Sequence, residues 1–330
     1  MGKLALTSAT GKLGSAVLNA ILDNNLIDPK DLVICVSLHK FSSHHRSSLT
    51  ENIQTSSSPD APKLQYLHDK SLTIRHADFD SPSTLESAYA GCTSLFLVST
   101  PRIAMDYNNA PLWQGREKHH RAAIDAAVKV GVKHIYYTSL GFANPSKAGV
   151  MRAHMRTEEY LNGLGGEVKV TIIREGLYNE SWPLYFGYYF GLKSETRSEV
   201  LVAGDGPISW TSISDMAFCT AKILSEDSDK WAGPPFYLSQ RKTWTLQDIA
   251  GIVSKVMGEE VKLKVVSRKE YEDHYVGTGM EKASVEWWSS TYDALKDGEC
   301  KIEDDTLESI LHAAGRKPQP LEETIEEMMQ

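Results

Sequence analysis

A short apolar run, Lys3-Leu4-Ala5-Leu6, breaks at Thr7-Ser8-Ala9-Thr10-Gly11-Lys12-Leu13-Gly14, and the chain resumes with apolar side chains at Leu13, Val17, Leu18, Ile21 and Leu22. That pattern reads as a strand, a tight turn and a helix, the opening of a nucleotide-binding βαβ unit. Gly11 and Gly14 let backbone approach a pyrophosphate and let the helix lie close on the strand, while the first turn of the helix offers free N–H groups to phosphate oxygens. Ser8 stands where the first glycine of such loops usually is. Strand-to-helix turns with two glycines also occur without a ligand, so the rest of the chain has to decide.

The unit repeats. Asp31 to Leu38 is a second buried strand with His39 and Lys40 at its end, where a dinucleotide fold meets the adenosine ribose. An acid there favours NAD; no acid is present, and the two basic residues favour the 2′-phosphate of NADP. Residues 42 to 62 are rich in serine and carry His44, His45 and Arg46, and they read as a long loop. Leu72 to Ala77 is a third strand ending at Asp78-Phe79. Ser81-Pro82 then opens a helix as cap and first-turn proline, with Gly91 as its stop. Ser94 to Pro101, His134 to Ser139 and Val168 to Arg174 are three further strands, separated by helices over about Gly115 to Val130 and Met151 to Leu161. Strands and helices alternating at this spacing imply a parallel, doubly wound α/β sheet with right-handed crossovers. Ligands of such sheets sit at the carboxyl ends of the strands. Here those ends are Ser8 to Gly14, His39 and Lys40, Asp78 and Phe79, Ser99-Thr100-Pro101, Ser139 and Leu140, and Glu175 to Tyr178.

Composition narrows the function classes. The 330 residues are 41% hydrophobic and carry a formal net charge of -8, which argues against a general nucleic-acid binder, since phosphate-backbone affinity rests on clustered Lys and Arg. No apolar stretch approaches the roughly 20 residues of a membrane span, and no signal-peptide pattern precedes the first strand, so a cytoplasmic location is expected. Cys35, Cys92, Cys219 and Cys300 never form C-x-x-C, which reads as reduced cysteines and no metal site.

The strand ends, with several segments between them, carry a family resemblance. The chain resembles the NmrA-like proteins, a branch of the atypical short-chain dehydrogenase/reductase superfamily. The resemblance rests on Thr-Ser-Ala-Thr-Gly-Lys-Leu-Gly at 7 to 14, Asp-Phe-Asp-Ser-Pro-Ser-Thr-Leu at 78 to 85, and the stretch from Ala126 through Lys133-His-Ile-Tyr-Tyr-Thr-Ser139. It continues with His-Met-Arg-Thr-Glu-Glu-Tyr-Leu at 154 to 161 and Ile-Ile-Arg-Glu-Gly-Leu-Tyr-Asn-Glu at 172 to 180. Gly-Asp-Gly-Pro-Ile-Ser-Trp-Thr-Ser-Ile-Ser-Asp at 204 to 215 resembles the family's returning segment. The resemblance implies a Rossmann domain over 1–180 that binds NADP(H) or NAD(H), with a returning segment near 204–240. A smaller α/β lobe built from 181–203 and 241–330 would close a substrate cleft. It also implies a family divided between working reductases, such as quinone oxidoreductases and reductases of fungal secondary metabolism, and regulators that bind the dinucleotide without turning it over.

Short-chain dehydrogenases ordinarily use Tyr-x-x-x-Lys, in which the lysine and the nicotinamide ring lower the tyrosine pKa. That motif is missing where it belongs. By register the tyrosine position falls near Val150 and the lysine position at His154. Tyr66 with Lys70 and Tyr292 with Lys296 have the spacing but lie off the expected helix. His154 at the lysine position is a candidate to hold the nicotinamide ribose or move a proton; the plainer alternative is a helix-surface pair with Glu158 at i+4. Ser139 matches the usual catalytic serine, although a serine ending a strand also caps the next element. Tyr178 is the nearest phenol able to replace the missing one, or else a wall under the nicotinamide.

From Trp182 to Phe190 the chain is densely aromatic, suited to a broad flat ligand, to a homodimer surface or to the core of the lobe. Leu246 to Met257, Lys269 to Tyr275 and Thr306 to Ala314 read as helices and Val261 to Val266 as a strand. Leu321 to Met329 reads as an acidic helix with a solvated face. The expectation is an NADP(H)-dependent oxidoreductase acting on a hydrophobic small molecule such as an aromatic or polycyclic carbonyl, imine or quinone. Its candidate cofactor contacts are Ser8, Thr10, Gly11, Lys12, Leu13, Gly14, His39, Lys40, Asp78, Phe79, Ser99, Thr100, Pro101 and His154, and its candidate catalytic residues are His154, Ser139 and Tyr178. An isomerase that keeps the dinucleotide, and a redox-sensing regulator, are the alternatives.

Overall fold

Continuous apolar strands dictate the centre of the molecule. A computed structural model of the chain describes residues 2–37, 67, 69–70, 72–166 and 168–330. Strand β1 (Leu4–Leu6) and strand β2 (Leu32–Val36) are buried at every position, as a parallel sheet covered on both faces requires. They join β3 (Thr73–His76), β4 (Ser94–Leu97), β5 (His134–Leu140), β6 (Lys169–Glu175) and β10 (Phe236–Leu238) in a sheet of order β10-β6-β5-β4-β1-β2-β3. Every pairing in this sheet is parallel. The strand order reverses at β1, which places the crevice of a doubly wound sheet beside the carboxyl ends of β1 and β4.

Helix α1 (Lys12–Asp23) turns Leu13, Val17, Leu18 and Ile21 inward and lies against α6 (Ile213–Ser225) on one face of the sheet. On the other face pack α2 (Pro82–Tyr89), α3 (Glu117–Lys129) and α4 (Met151–Asn162). The expected cap of α2 differs in detail. Ser81 makes no side-chain cap bond; the Thr84 hydroxyl instead donates to Ser81 O at 2.7 Å and accepts from Asp78 N at 2.9 Å.

A second apolar cluster fills the carboxyl-terminal half. It gathers the short helix α5 (Trp182–Tyr185), the parallel pair β8 (Glu199–Val202) and β11 (Lys262–Val265), and helices α8 (Leu246–Met257), α9 (Arg268–Gly277), α10 (Lys282–Lys296) and α12 (Leu321–Met329). Between these elements run the short parallel pair β7 (Leu177–Tyr178) and β9 (Trp210–Thr211), the short helix α7 (Ser228–Trp231) and helix α11 (Thr306–Ala313). The reading of α12 as a solvated acidic helix is corrected here. Leu321, Ile325 and Met329 recur every fourth residue and are buried, against α8 among other neighbours. Of the alternatives open for the aromatic stretch, the core of the lobe holds most of it: Trp182, Tyr185, Phe186, Tyr188 and Tyr189 are buried, and Phe190 alone among its aromatic residues is exposed. All four cysteines are free thiols in the interior. Among the described residues no helix is long and apolar enough to cross a membrane.

Candidate active site

At the carboxyl end of β1 the chain must turn sharply and still leave room for a ligand. The Thr7 hydroxyl donates to Phe96 O at 3.1 Å and accepts from Val98 N at 2.9 Å, which fastens the end of β1 to β4. Ser8, in the position of the usual first glycine, takes a left-handed conformation with φ of 55°. Its carbonyl accepts from Gly11 N at 2.8 Å. A Cβ on Gly14 would fall 2.1 Å from that same carbonyl oxygen, so glycine is required for α1 to approach the loop. Gly11 is the N-cap of α1 and makes no side-chain cap bond, and the first turn contains no acid. Uncapped N–H groups at the positive end of a helix dipole are what a pyrophosphate needs. Lys12 is exposed beside them and Leu13 points into the core. The residues present therefore fit a dinucleotide.

Farther along the edge, Phe79 stacks on His119 with ring centroids 5.6 Å apart, and Asp78 Oδ1 accepts from Asp80 N at 2.9 Å. His39 and Lys40 lie outside the described residues. Ser99-Thr100-Pro101, after β4, is fixed from below by the buried His120 of α3. Thr100 N donates to His120 Nε2 at 3.1 Å, so Nε2 is an acceptor and the ring proton sits on Nδ1, which lies 2.8 Å from the Thr157 hydroxyl. Ser99 Oγ is 3.2 Å from the same Nε2.

The three candidate proton-handling residues separate in space. His154 is buried on the inner face of α4, with Nδ1 3.0 Å from the Tyr137 hydroxyl. Burial, with a smaller contribution from Arg116, holds its pKa well below the ordinary histidine value. It does not pair with Glu158 across the helix surface. Glu158 is itself buried and accepts from Ser139 Oγ at 2.5 Å, from Asn144 Nδ2 at 2.9 Å, and from Arg174 Nε and Nη2 at 3.1 and 2.7 Å. Ser139 is thereby committed to an interior cluster. Tyr178 faces elsewhere: it is half-buried, lines a cavity, and donates its hydroxyl to Glu175 Oε2 at 2.7 Å.

That cavity, about 210 Å³, opens at the carboxyl ends of β5 and β6. Leu140, Val150, Leu177 and Tyr178 form its Rossmann side, and Leu184, Tyr185, Trp287 and Trp288 its lobe side. Val150, at the register position of the missing tyrosine, presents an aliphatic side chain to this space. Sequence reasoning gave Glu175 no role beyond its place at a strand end and assigned no helix over 282–296, where α10 carries Trp287 and Trp288 across from a distant part of the chain. An acid at the carboxyl end of a sheet strand, where ligands of such sheets sit, was the available signal for the first.

Comparison with known proteins agrees with this geometry. The NmrA-like family model matches residues 1–323. An NmrA-like family domain-containing oxidoreductase of Aspergillus flavus is 30% identical over 83% of this chain and 85% of its own length. Quinone oxidoreductase 2 of Escherichia coli is 27% identical over 81% of this chain and 79% of its own. Among solved structures, Citrobacter sp. triphenylmethane reductase complexed with NADP(H) superposes with a TM-score of 0.76 at 24% identity, covering 99% of this chain and 100% of that one.

Proposed function

The chain belongs to the NmrA-like family, and from that premise we propose that it is an NADP(H)-dependent oxidoreductase that reduces a flat hydrophobic acceptor, an aromatic or polycyclic quinone, carbonyl or imine. The observation that carries the reading is the cavity of about 210 Å³, walled by Tyr178, Tyr185, Trp287 and Trp288. It lies along the same carboxyl edge of the sheet as the uncapped helix and the Gly14 approach.

When bound, NADPH supplies a hydride. The chain's own residues do the rest. Ser8 to Gly14 hold the phosphates through backbone N–H groups, and Lys12 adds a charge beside them. Asp78 and Phe79 flank the adenine end, and Ser99-Thr100-Pro101, braced by His120, line the path toward the cavity. The 2′-phosphate falls to His39 and Lys40, by their place in the sequence shortly after β2; a charge-assisted contact there is worth about 1.5–3 kcal/mol. Aromatic walls suit a planar acceptor, giving large apolar contact at little conformational cost. Ser139 and His154 act as supports of the edge, and Tyr178 is the phenol placed to meet the acceptor.

The test is direct. Purified protein is mixed with NADPH or NADH and a panel of quinones and polycyclic carbonyls, with cofactor absorbance and tryptophan fluorescence followed together. Consumption of NADPH in preference to NADH, with quenching of the cavity tryptophans by the acceptor, is expected. Tight dinucleotide binding with no acceptor bound or reduced would overturn the enzymatic reading in favour of a dinucleotide sensor.

A further inference from the structure

Glu175 ends β6 with its side chain on the α1 and α6 face, because its neighbour Arg174 points the other way to Glu158 and successive strand residues alternate. It is buried, Oε2 accepts from the Tyr178 hydroxyl at 2.7 Å, and Oε1 is buried with no hydrogen-bond partner. An ionised carboxylate with one oxygen left dry is costly, and protonation removes the charge. Tyr178 in turn borders the cavity.

We propose that Glu175 and Tyr178 form a proton-delivering dyad that replaces the missing Tyr-x-x-x-Lys pair, with Tyr178 as the catalytic residue and Glu175 as the proton store behind it. This rests on the function proposed above and specifies how its site handles the proton. Reduction of a quinone to its hydroquinone takes one hydride, which brings both electrons, and one proton. As charge develops on the acceptor oxygen, the Tyr178 O–H bond breaks toward that oxygen. With the phenol hydroxyl turned from Glu175 to the acceptor, Glu175 protonated on Oε2 donates back across the same 2.7 Å contact, its proton passes to Tyr178 Oη, and the carboxylate left behind is reprotonated from solvent. Oxidation is confined to the nicotinamide and reduction to the acceptor.

The surroundings support this direction of transfer. Burial pushes Glu175 up to about 8, opposed by the Tyr178 hydrogen bond. Burial and then the Glu175 charge push Tyr178 well above the ordinary phenol value, so the phenol relays a proton rather than releasing it. Among the described residues, Glu180 and Tyr185 also act on Tyr178, while Lys12 of α1 and Asp215 of α6 act on Glu180. No cation among them draws the proton off Glu175.

Two acceptors separate proton delivery from hydride delivery. A quinone needs both, whereas a cationic triarylmethyl dye becomes its neutral reduced form by gaining a hydride at carbon alone. In Glu175→Gln and in Tyr178→Phe the quinone-to-dye rate ratio should fall by about 10²-fold, the lower range for a positioned general acid. Infrared titration of the protein without cofactor supplies an independent readout: a buried protonated carboxyl band that disappears with a midpoint near 8 and is absent from Glu175→Gln. An unchanged ratio in both variants with dye reduction intact, or a midpoint in the ordinary carboxylate range, overturns the dyad. Failure of the unmodified protein to consume NADPH with either acceptor overturns the function on which the dyad rests.

Discussion

Two carboxylates at the carboxyl edge of one sheet show how differently this fold treats a buried acid. Glu158, on the α4 face, accepts from Ser139, Asn144 and two nitrogens on one edge of the Arg174 guanidinium. Glu175, on the opposite face, has Tyr178 on one oxygen and nothing on the other. Buried polar groups are normally satisfied, and a fully paired cluster rigidifies what it touches. The first carboxylate thus reads as a strut and the second as a group held ready to change its protonation. The contrast also sorts the histidine and serine: both sit with the strut.

The contrast is broken most severely at Glu158. Glu158→Ala leaves the largely buried Arg174 charge with only the Tyr237 hydroxyl as its partner, and should cost about 3 kcal/mol of stability in urea unfolding; a loss below about 1 kcal/mol would mean that the cluster braces nothing. Next in size, Gly14→Ala drives a methyl into Ser8 O and should cost about 1–3 kcal/mol. Each ~1.4 kcal/mol of strain that falls on the bound state lowers NADPH affinity tenfold. Unaltered affinity by fluorescence titration would show that α1 does not need its close approach.

The smallest effect concerns acid. Burial holds His120 and His154 well below their unfolded value, so both are neutral in the folded chain, and the unfolded chain binds more protons as pH falls below about 6.5. Their contribution to stability is complete above that pH and is lost on going down, by up to about 1.4 kcal/mol per pH unit for each. His154→Gln should flatten the acid limb of a stability-against-pH curve, and an unchanged slope would contradict the neutral, buried placement.

Much of the fold was legible because it repeats. Apolar strands followed by capped or glycine-stopped helices specify a parallel sheet whatever lies between them, and the left-handed Ser8 confirms that the residue replacing the first glycine adopts the glycine's conformation. What escaped were features that depend on tertiary approach. The amphipathic repeat of Leu321, Ile325 and Met329 was masked by surrounding glutamates, and Trp287 and Trp288 come to line one cavity with Tyr178 only because α10 folds back from far along the chain. His154 was placed by register on α4, but whether a helix residue faces solvent or Tyr137 is fixed by how α4 seats on the sheet. Glu175 was unremarkable in sequence; its significance comes from a dry oxygen and a neighbouring phenol, neither of which sequence spacing encodes.

Proton delivery from the Glu175 face is distinguished from delivery by the His154 face through the pH dependence of quinone-dependent NADPH oxidation. The rate should fall above a break near 8, the break should persist in His154→Gln, and it should vanish in Glu175→Gln at a much lower rate. A break below the ordinary histidine range, where burial holds His154, abolished by His154→Gln and untouched by Glu175→Gln, would contradict it.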